Sequence, residues 1–370
     1  MRLPAGVGVW AENVAGCGGA RVMAAKAIEL GLGHIAVKNA DGRLEQEHEA
    51  IRELVARVRS GGVEVWVWPF AGYTSSTTER AFAEGKAQAY MALSVGATGI
   101  MPNIEVSDGS PWYRNSPARA TAYLGGIRSV APALPIGFCS YPWPSEQGDT
   151  PWAAFLGGSD FVAPQVYYAT IGGTPLKCLQ RTIRELKPYK KPVYPLAGDT
   201  AQSRLTGQSL KEFAAAVAVN GLSSYGIYHW AGQHTPWDAV GELCRSVLKV
   251  VRPDGMPILC HPVEAKGETV VDLRSVAEAL GGRVDWDEAS ATLSVYAPSG
   301  ARVGPEVGWA VAVSGALARC KLVPLVDALA FEAHYMTPPQ GPRIYLKSKG
   351  AAPGVSSPLL ARAYPEAVSA

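Results

Sequence analysis

"ATGIMPNIEVSDG", residues 97–109, is a short apolar run that stops at Asn103-Ile104-Glu105 and dissolves into a Ser-Asp-Gly turn. An apolar body with a polar tip is the form of a parallel strand buried on both faces, with a C-terminal end that opens on a loop. Seven other runs share it: GVGVWA (6–11), HIAVKN (34–39), VEVWVWPF (63–70), LPIGFCSY (134–141), DFVAPQVYY (160–168), KPVYPLAG (191–198) and SSYGIYHW (223–230). Stretches of helical period separate them. In EQEHEAIRELVARVRS (45–60), Ile51, Leu54, Val55 and Val58 fall on one face, and TTERAFAEGKAQAYMALSVG (77–96) ends on Gly96 as a C-terminal stop. Eight βα units within about 250 residues predict a closed (β/α)8 TIM barrel. An open doubly wound sheet is the competing α/β arrangement, but Ala-Gly-Cys-Gly-Gly after the first strand lacks the G-x-G-x-x-G spacing of a dinucleotide site.

The chain has 370 residues, more than one such barrel requires, so a second, smaller α+β domain is expected behind it. The expected division is 1–251 for the barrel, 252–348 for the second module and 349–370 for a loose tail rich in Ala, Pro and Ser. Nearly half the residues are apolar (48%) and the formal net charge is only +2, which excludes a disordered chain and gives no footprint for nucleic acid. The six cysteines (17, 139, 178, 244, 260, 320) show no C-x-x-C spacing, which argues against zinc and against a disulfide scaffold; no metal or other cofactor is expected. MRLPAGVGVW enters a core strand at once and leaves no room for a signal peptide, and no run is long enough to span a bilayer. Synthesis in the cytoplasm is therefore expected, with any work outside needing another exit route.

In a barrel the C-terminal strand ends converge on one mouth and are read together. Here they supply Trp10 and Glu12; Lys38, Asn39 and Asp41; Trp68 and Tyr73; Asn103, Glu105 and Asp108; Ser140, Tyr141 and Trp143; Gln165, Tyr167 and Tyr168; Asp199; and His229 with Trp230. Aromatic faces stack on the C–H faces of sugar rings, and amides and carboxylates bind hydroxyls, so this rim favours carbohydrate over phosphate. Glycoside cleavage ordinarily needs two carboxyl groups unless the substrate's N-acetyl group serves as nucleophile. Glu105 is the first acid, as a general acid or as a binding carboxylate; Asp108, Glu12, Asp41 and Asp199, in that order, are candidates for the second. Lys38 either neutralises a substrate carboxylate or pairs with Glu12 or Asp41. His229 reads as a hydrogen-bonded structural histidine.

With "GVGVW", "HIAVKNADG", "NIE", "APQVYY" and "YGIYHW" in this order, residues 6–245 resemble the glycoside-hydrolase barrels of phage and bacterial cell-wall lytic proteins, and more distantly the muramidases of glycoside hydrolase family 25. The resemblance implies a cell-wall glycan as substrate, possession of an endolysin-like activity, and Glu105 as proton donor at the end of the fourth strand. That family ends this strand in Asp-x-Glu; Asn103 stands in the place of the Asp, which is implied to steady the substrate's acetamido group. Asn103, Glu105 and Asp108 form the expected catalytic set. Trp10, Glu12, Lys38, Asp41, Trp68, Tyr141, Gln165, Tyr167, Asp199 and Trp230 form the expected binding set. A non-catalytic glycan-binding barrel and a structural surface or virion protein are the alternatives.

After Lys-Val-Val-Arg-Pro-Asp-Gly (249–255) the pattern changes. "TVVDLRSVAEALGGRVDWDEASATLSVYAP" (269–298) reads strand, helix, Gly-Gly stop and hairpin, and 321–347 repeats it in degenerate form. Val271, Leu273-Arg274, Ala279-Leu280-Gly281 and Val284-Asp285-Trp286-Asp287 resemble the small stalk domain named after the N-terminal region of copper amine oxidases. Copper is not implied, since His261 and His334 stand alone. The resemblance implies a cell-envelope targeting or spacer unit, with a packing or oligomerisation module as the alternative.

Overall fold

The computed structural model describes residues 2–106, 110–198, 205–230 and 235–245, together with backbone strands between 248 and 348. The chain divides into two compact units, Met1–Leu243 and Cys244–Ala370.

Unit one is an α/β barrel. Its parallel strands are Val7–Ala11, His34–Val37, Glu64–Val67, Gly137–Ser140, Phe161–Val166, Leu196–Gly198 and Tyr225–Tyr228. They form one curled sheet in which the first strand pairs with both the second and the last. The gap between Glu64–Val67 and Gly137–Ser140 is closed by segment 98–105. Its Ile100 and Asn103 bridge Val67 and Phe70 on one side and Ile136 and Cys139 on the other, all in parallel sense. The chain there makes isolated bridges rather than a continuous strand, because Pro102 has no N–H to give to a ladder. With this eighth stave the sheet has no free edge.

The expected helices form between the strands. His48–Val58 buries Ile51, Leu54, Val55 and Val58, and Thr78–Ser94 starts on a Thr77 hydroxyl that accepts the Arg80 N–H. A two-residue hairpin, Ala40–Asp41 with Leu44–Glu45, follows the second strand and was not legible in the sequence.

Inside the barrel, large rings from one strand fill the space left by glycines on the next. A Cβ on Gly99 would lie 2.1 Å from Trp66 Cζ3, and one on Gly137 would lie 2.4 Å from the Phe161 ring. Trp66 and Phe161 meet edge to face at 5.8 Å. Below the mouth runs a hydrogen-bonded chain: Trp10 Nε1–H donates to Tyr194 Oη at 3.4 Å, Tyr194 donates to His34 Nε2, and His34 Nδ1–H donates to Ala5 O at 2.7 Å. His34 is wholly buried, and burial lowers its pKa to about 4, so the ring is neutral.

The described strands of unit two pair antiparallel, apart from one parallel pairing of Leu248–Val251 with Arg343–Ser348. Glu268–Asp272 lies between Val263–Ala265 and Leu317–Lys321. Arg283–Asp287 and Thr292–Tyr296 pair as a hairpin with Trp286 opposite Leu293. The helix expected before the Gly281-Gly282 stop and the tail 349–370 lie outside the described residues. Among the described residues no helix is long and apolar enough to cross a membrane.

Candidate active site

A cavity of about 560 Å³ opens at the C-terminal strand ends. Its aromatic wall is made by Trp10, Trp68, Phe70, Tyr73, Tyr141, Tyr167 and Tyr228, and its polar groups are Glu12, Lys38, Asn103, Glu105 and Gln165. Nine residues of the expected catalytic and binding sets therefore meet here, Trp10, Glu12, Lys38, Trp68, Asn103, Glu105, Tyr141, Gln165 and Tyr167, together with Tyr73 from the expected rim.

Glu105 is held by two amides from different staves. Asn103 Nδ2 donates to Glu105 Oε1 at 2.8 Å, Gln165 Nε2 donates to the same oxygen at 2.8 Å, and Gln165 Nε2 also donates to Asn103 Oδ1 at 2.9 Å. The triangle closes on itself, so Asn103 orients Glu105, with both of its polar atoms engaged there. Among the described residues no hydrogen bond reaches Glu105 Oε2. A proton carried by this carboxyl therefore sits on Oε2, because Oε1 already accepts two N–H groups. Behind it, the Glu105 N–H donates to Ser110 Oγ at 3.1 Å and Ser110 Oγ–H to Ala71 O at 2.6 Å, which ties the strand end to the neighbouring loop.

Glu12 is the second carboxylate of the cavity. It follows the first strand, while Glu105 ends the fourth stave of eight, so the two enter the same cavity from staves three apart round the barrel. Tyr228 Oη–H donates to Glu12 Oε1 at 2.5 Å, and the Tyr228 ring stacks on Tyr167 at 5.6 Å and 22°. Burial first, then the hydrogen bond to Glu12, and then the charges of Glu12 and Glu105 push the Tyr228 hydroxyl well above the ordinary tyrosine range. Tyr228 thus remains a neutral donor. Burial likewise raises Tyr167 and Cys139, and lowers His229.

Lys38 is the cation of the wall. Its Nζ lies 2.7 Å from Asp41 Oδ1 and 5.6 and 5.8 Å from the Trp68 and Phe70 ring centres. Trp68 is fixed by donating Nε1–H to Ala11 O at 3.0 Å and packs on Trp10 at 5.6 Å.

Two expectations are corrected. Asp41 does not line the cavity: the small hairpin turns it back to accept from Gln46 and to pair with Lys38. Trp230 is 5% exposed and packs edge to face on Trp237 at 4.9 Å, and the last strand ends before it, at Tyr228. The aromatic position on that strand belongs to Tyr228, because the strand stops two residues short of the end of the apolar run. Phe70 also lines the cavity, and in the sequence nothing distinguishes it from the apolar body of its run. Asp108, Asp199 and His234 lie outside the described residues. Among the described residues no group of three or more His, Cys, Asp or Glu side chains is placed to hold a metal ion.

No family model matches this chain. No curated protein does either. Solved structures similar to it include an endo-β-1,4-mannanase from Thermotoga petrophila, 9% identical, which covers 65% of this chain and 76% of its own with a TM-score of 0.49. A GH18 chitinase from Pseudoalteromonas aurantia is 12% identical over 65% of this chain and 100% of its own, with a TM-score of 0.48. The Bacillus cereus spore cortex-lytic enzyme SleL is 12% identical over 66% of this chain and 75% of its own, with a TM-score of 0.47. Likenesses this distant carry nothing about chemistry, which rests on the cavity itself.

Proposed function

We propose that the barrel is a glycoside hydrolase, with Glu105 as general acid and Glu12 as the second carboxylate. The observation that carries this reading is the amide triangle of Asn103, Gln165 and Glu105, which fixes one acid inside an aromatic cavity that a second acid, Glu12, also lines. A sugar ring stacked on the wall places its glycosidic oxygen between the two. Glu105 gives the proton on Oε2 to the departing oxygen. The ring carbon left behind is attacked by the acetamido oxygen of an N-acetylated sugar, and Glu12, held by Tyr228, offsets the positive charge that develops there. Water then opens the intermediate as Glu105 takes a proton back, with net retention of anomeric configuration.

The finer reading is a muramidase-type enzyme that acts on bacterial cell-wall peptidoglycan, in the manner of an endolysin, with unit two as a targeting module. It is supported by the sequence resemblance of the strand ends and by the aromatic, amide and carboxylate composition of the cavity. Replacement of the family's Asp by Asn103 favours a second reading, a glycan-binding barrel without catalysis. Reducing-end release from purified peptidoglycan separates them. Glu105→Gln preserves shape and is expected to cost at least about 10²-fold in rate. A wild-type protein that binds glycan and releases no reducing ends establishes the second reading.

A further inference from the structure

We propose that Tyr73 forms an outer sugar platform at the rim, which takes the next unit of a polymeric glycan whose reacting disaccharide occupies the cavity. This rests on the glycan reading above and adds to it the residue that grips the polymer beyond the reacting disaccharide.

Tyr73 lines the cavity and yet remains 54% exposed. An exposed aromatic ring at a rim is ordinarily a mobile side chain on a mobile loop. Here the loop is clamped on both sides of the ring. The Gly72 N–H donates to Glu84 Oε1 at 2.6 Å, and Glu84 Oε2 accepts from the Thr74 N–H at 3.0 Å, from Thr74 Oγ1 at 2.7 Å and from Ser75 Oγ at 2.8 Å. Glu84 projects from helix Thr78–Ser94 and is wholly buried, and all four donors are neutral groups. Burying a carboxylate is costly unless its oxygens are saturated with hydrogen bonds, so this loop geometry is strongly enforced.

The neighbouring loop is fitted to the same ring. Gly42 adopts φ 60°, and a Cβ there would lie 2.9 Å from Tyr73 Cβ. Gly42 is itself held, with its carbonyl accepting from Gln88 Nε2 at 2.7 Å and its N–H donating to Phe70 O at 2.8 Å. Phe70 supports one side of the Tyr73 ring, at 5.5 Å and 55°. The result is an apolar face presented to water on a backbone that has already lost its freedom. Such a surface binds without the ordering cost that weakens flexible sites. A flat ring with a polar tip, continuous with an aromatic cavity, matches the C–H face and hydroxyls of a pyranose.

The test uses the full chain carrying Glu105→Gln, so that ligand is not consumed, and measures calorimetric binding of N-acetylglucosamine oligomers of two and six units. The hexamer is expected to bind about tenfold or more tightly than the dimer, in keeping with one added stacking contact, and Tyr73→Ala is expected to erase most of that ratio. Tyr73→Trp is expected to preserve it, as is Tyr90→Ala, which removes a comparably exposed ring from the helix Thr78–Ser94. If Tyr73→Ala leaves the ratio unchanged or weakens both oligomers equally, or if neither oligomer binds, the platform is overturned. Reducing-end release by the wild-type chain is scored separately. A Tyr73-dependent ratio without release overturns the hydrolase and keeps the platform; Glu105-dependent release with a Tyr73-independent ratio does the reverse.

Discussion

Gln165 Nε2 lies 2.8 Å from Glu105 Oε1, across 60 residues of sequence. The contact joins the sixth stave, Phe161–Val166, to the fourth and decides which oxygen of the acid faces the cavity. Gln165→Leu removes the donor while keeping the bulk of the side chain. Turnover is expected to fall by about 10- to 100-fold through lost orientation of the acid, with KM changed far less. Equal loss in both parameters would assign Gln165 to substrate binding.

Tyr228→Phe deletes the hydroxyl that Glu12 accepts and keeps the ring that stacks on Tyr167. A fall of about tenfold in kcat is expected from the loss of one charge-assisted hydrogen bond, with affinity for a non-cleaved oligosaccharide retained. Because Tyr228 stays protonated well past the ordinary tyrosine range, the wild-type alkaline limb is expected to be the same in Tyr228→Phe. A limb that disappears in the variant would show that this phenol titrates during turnover.

His34 links stability to pH. Its folded pKa is about 4 against an ordinary 6.5, so between these values the unfolded chain binds the extra proton and the folded one does not. Stability is therefore complete above about pH 6.5 and is lost as pH falls toward 4, by up to about 3 kcal/mol from this group alone. Thermal melts at stepped pH read this directly, and His34→Gln is expected to flatten the slope across that window.

Gly99→Ala tests the packing of the barrel interior. The new methyl would fall 2.1 Å from Trp66, which is walled in by Phe161 and cannot step aside. Destabilisation by about 1–3 kcal/mol or more is expected from overpacking. The double variant Gly99→Ala with Trp66→Leu should recover part of the loss, as two clashing neighbours are not additive.

What the sequence determined by itself was local and periodic. Apolar runs with polar tips, alternating with amphipathic stretches, fix eight βα units, and closure of a parallel sheet then sends every polar tip to one mouth. That is why Trp10, Glu12, Lys38, Trp68, Asn103, Glu105, Tyr141, Gln165 and Tyr167 were legible as a group. What only the tertiary structure decided was direction and partnership. That Asn103 also holds Glu105 could not be read from the sequence, because Gln165, distant in sequence, is brought to the same point by barrel closure. Tyr228 rather than Trp230 faces the cavity because the strand ends there, and where a strand ends depends on the neighbouring strand it pairs with. Asp41 turns away because of a two-residue hairpin too short to leave a periodic signal. Periodicity names the face of an element; only the assembled barrel sets which atoms on that face meet.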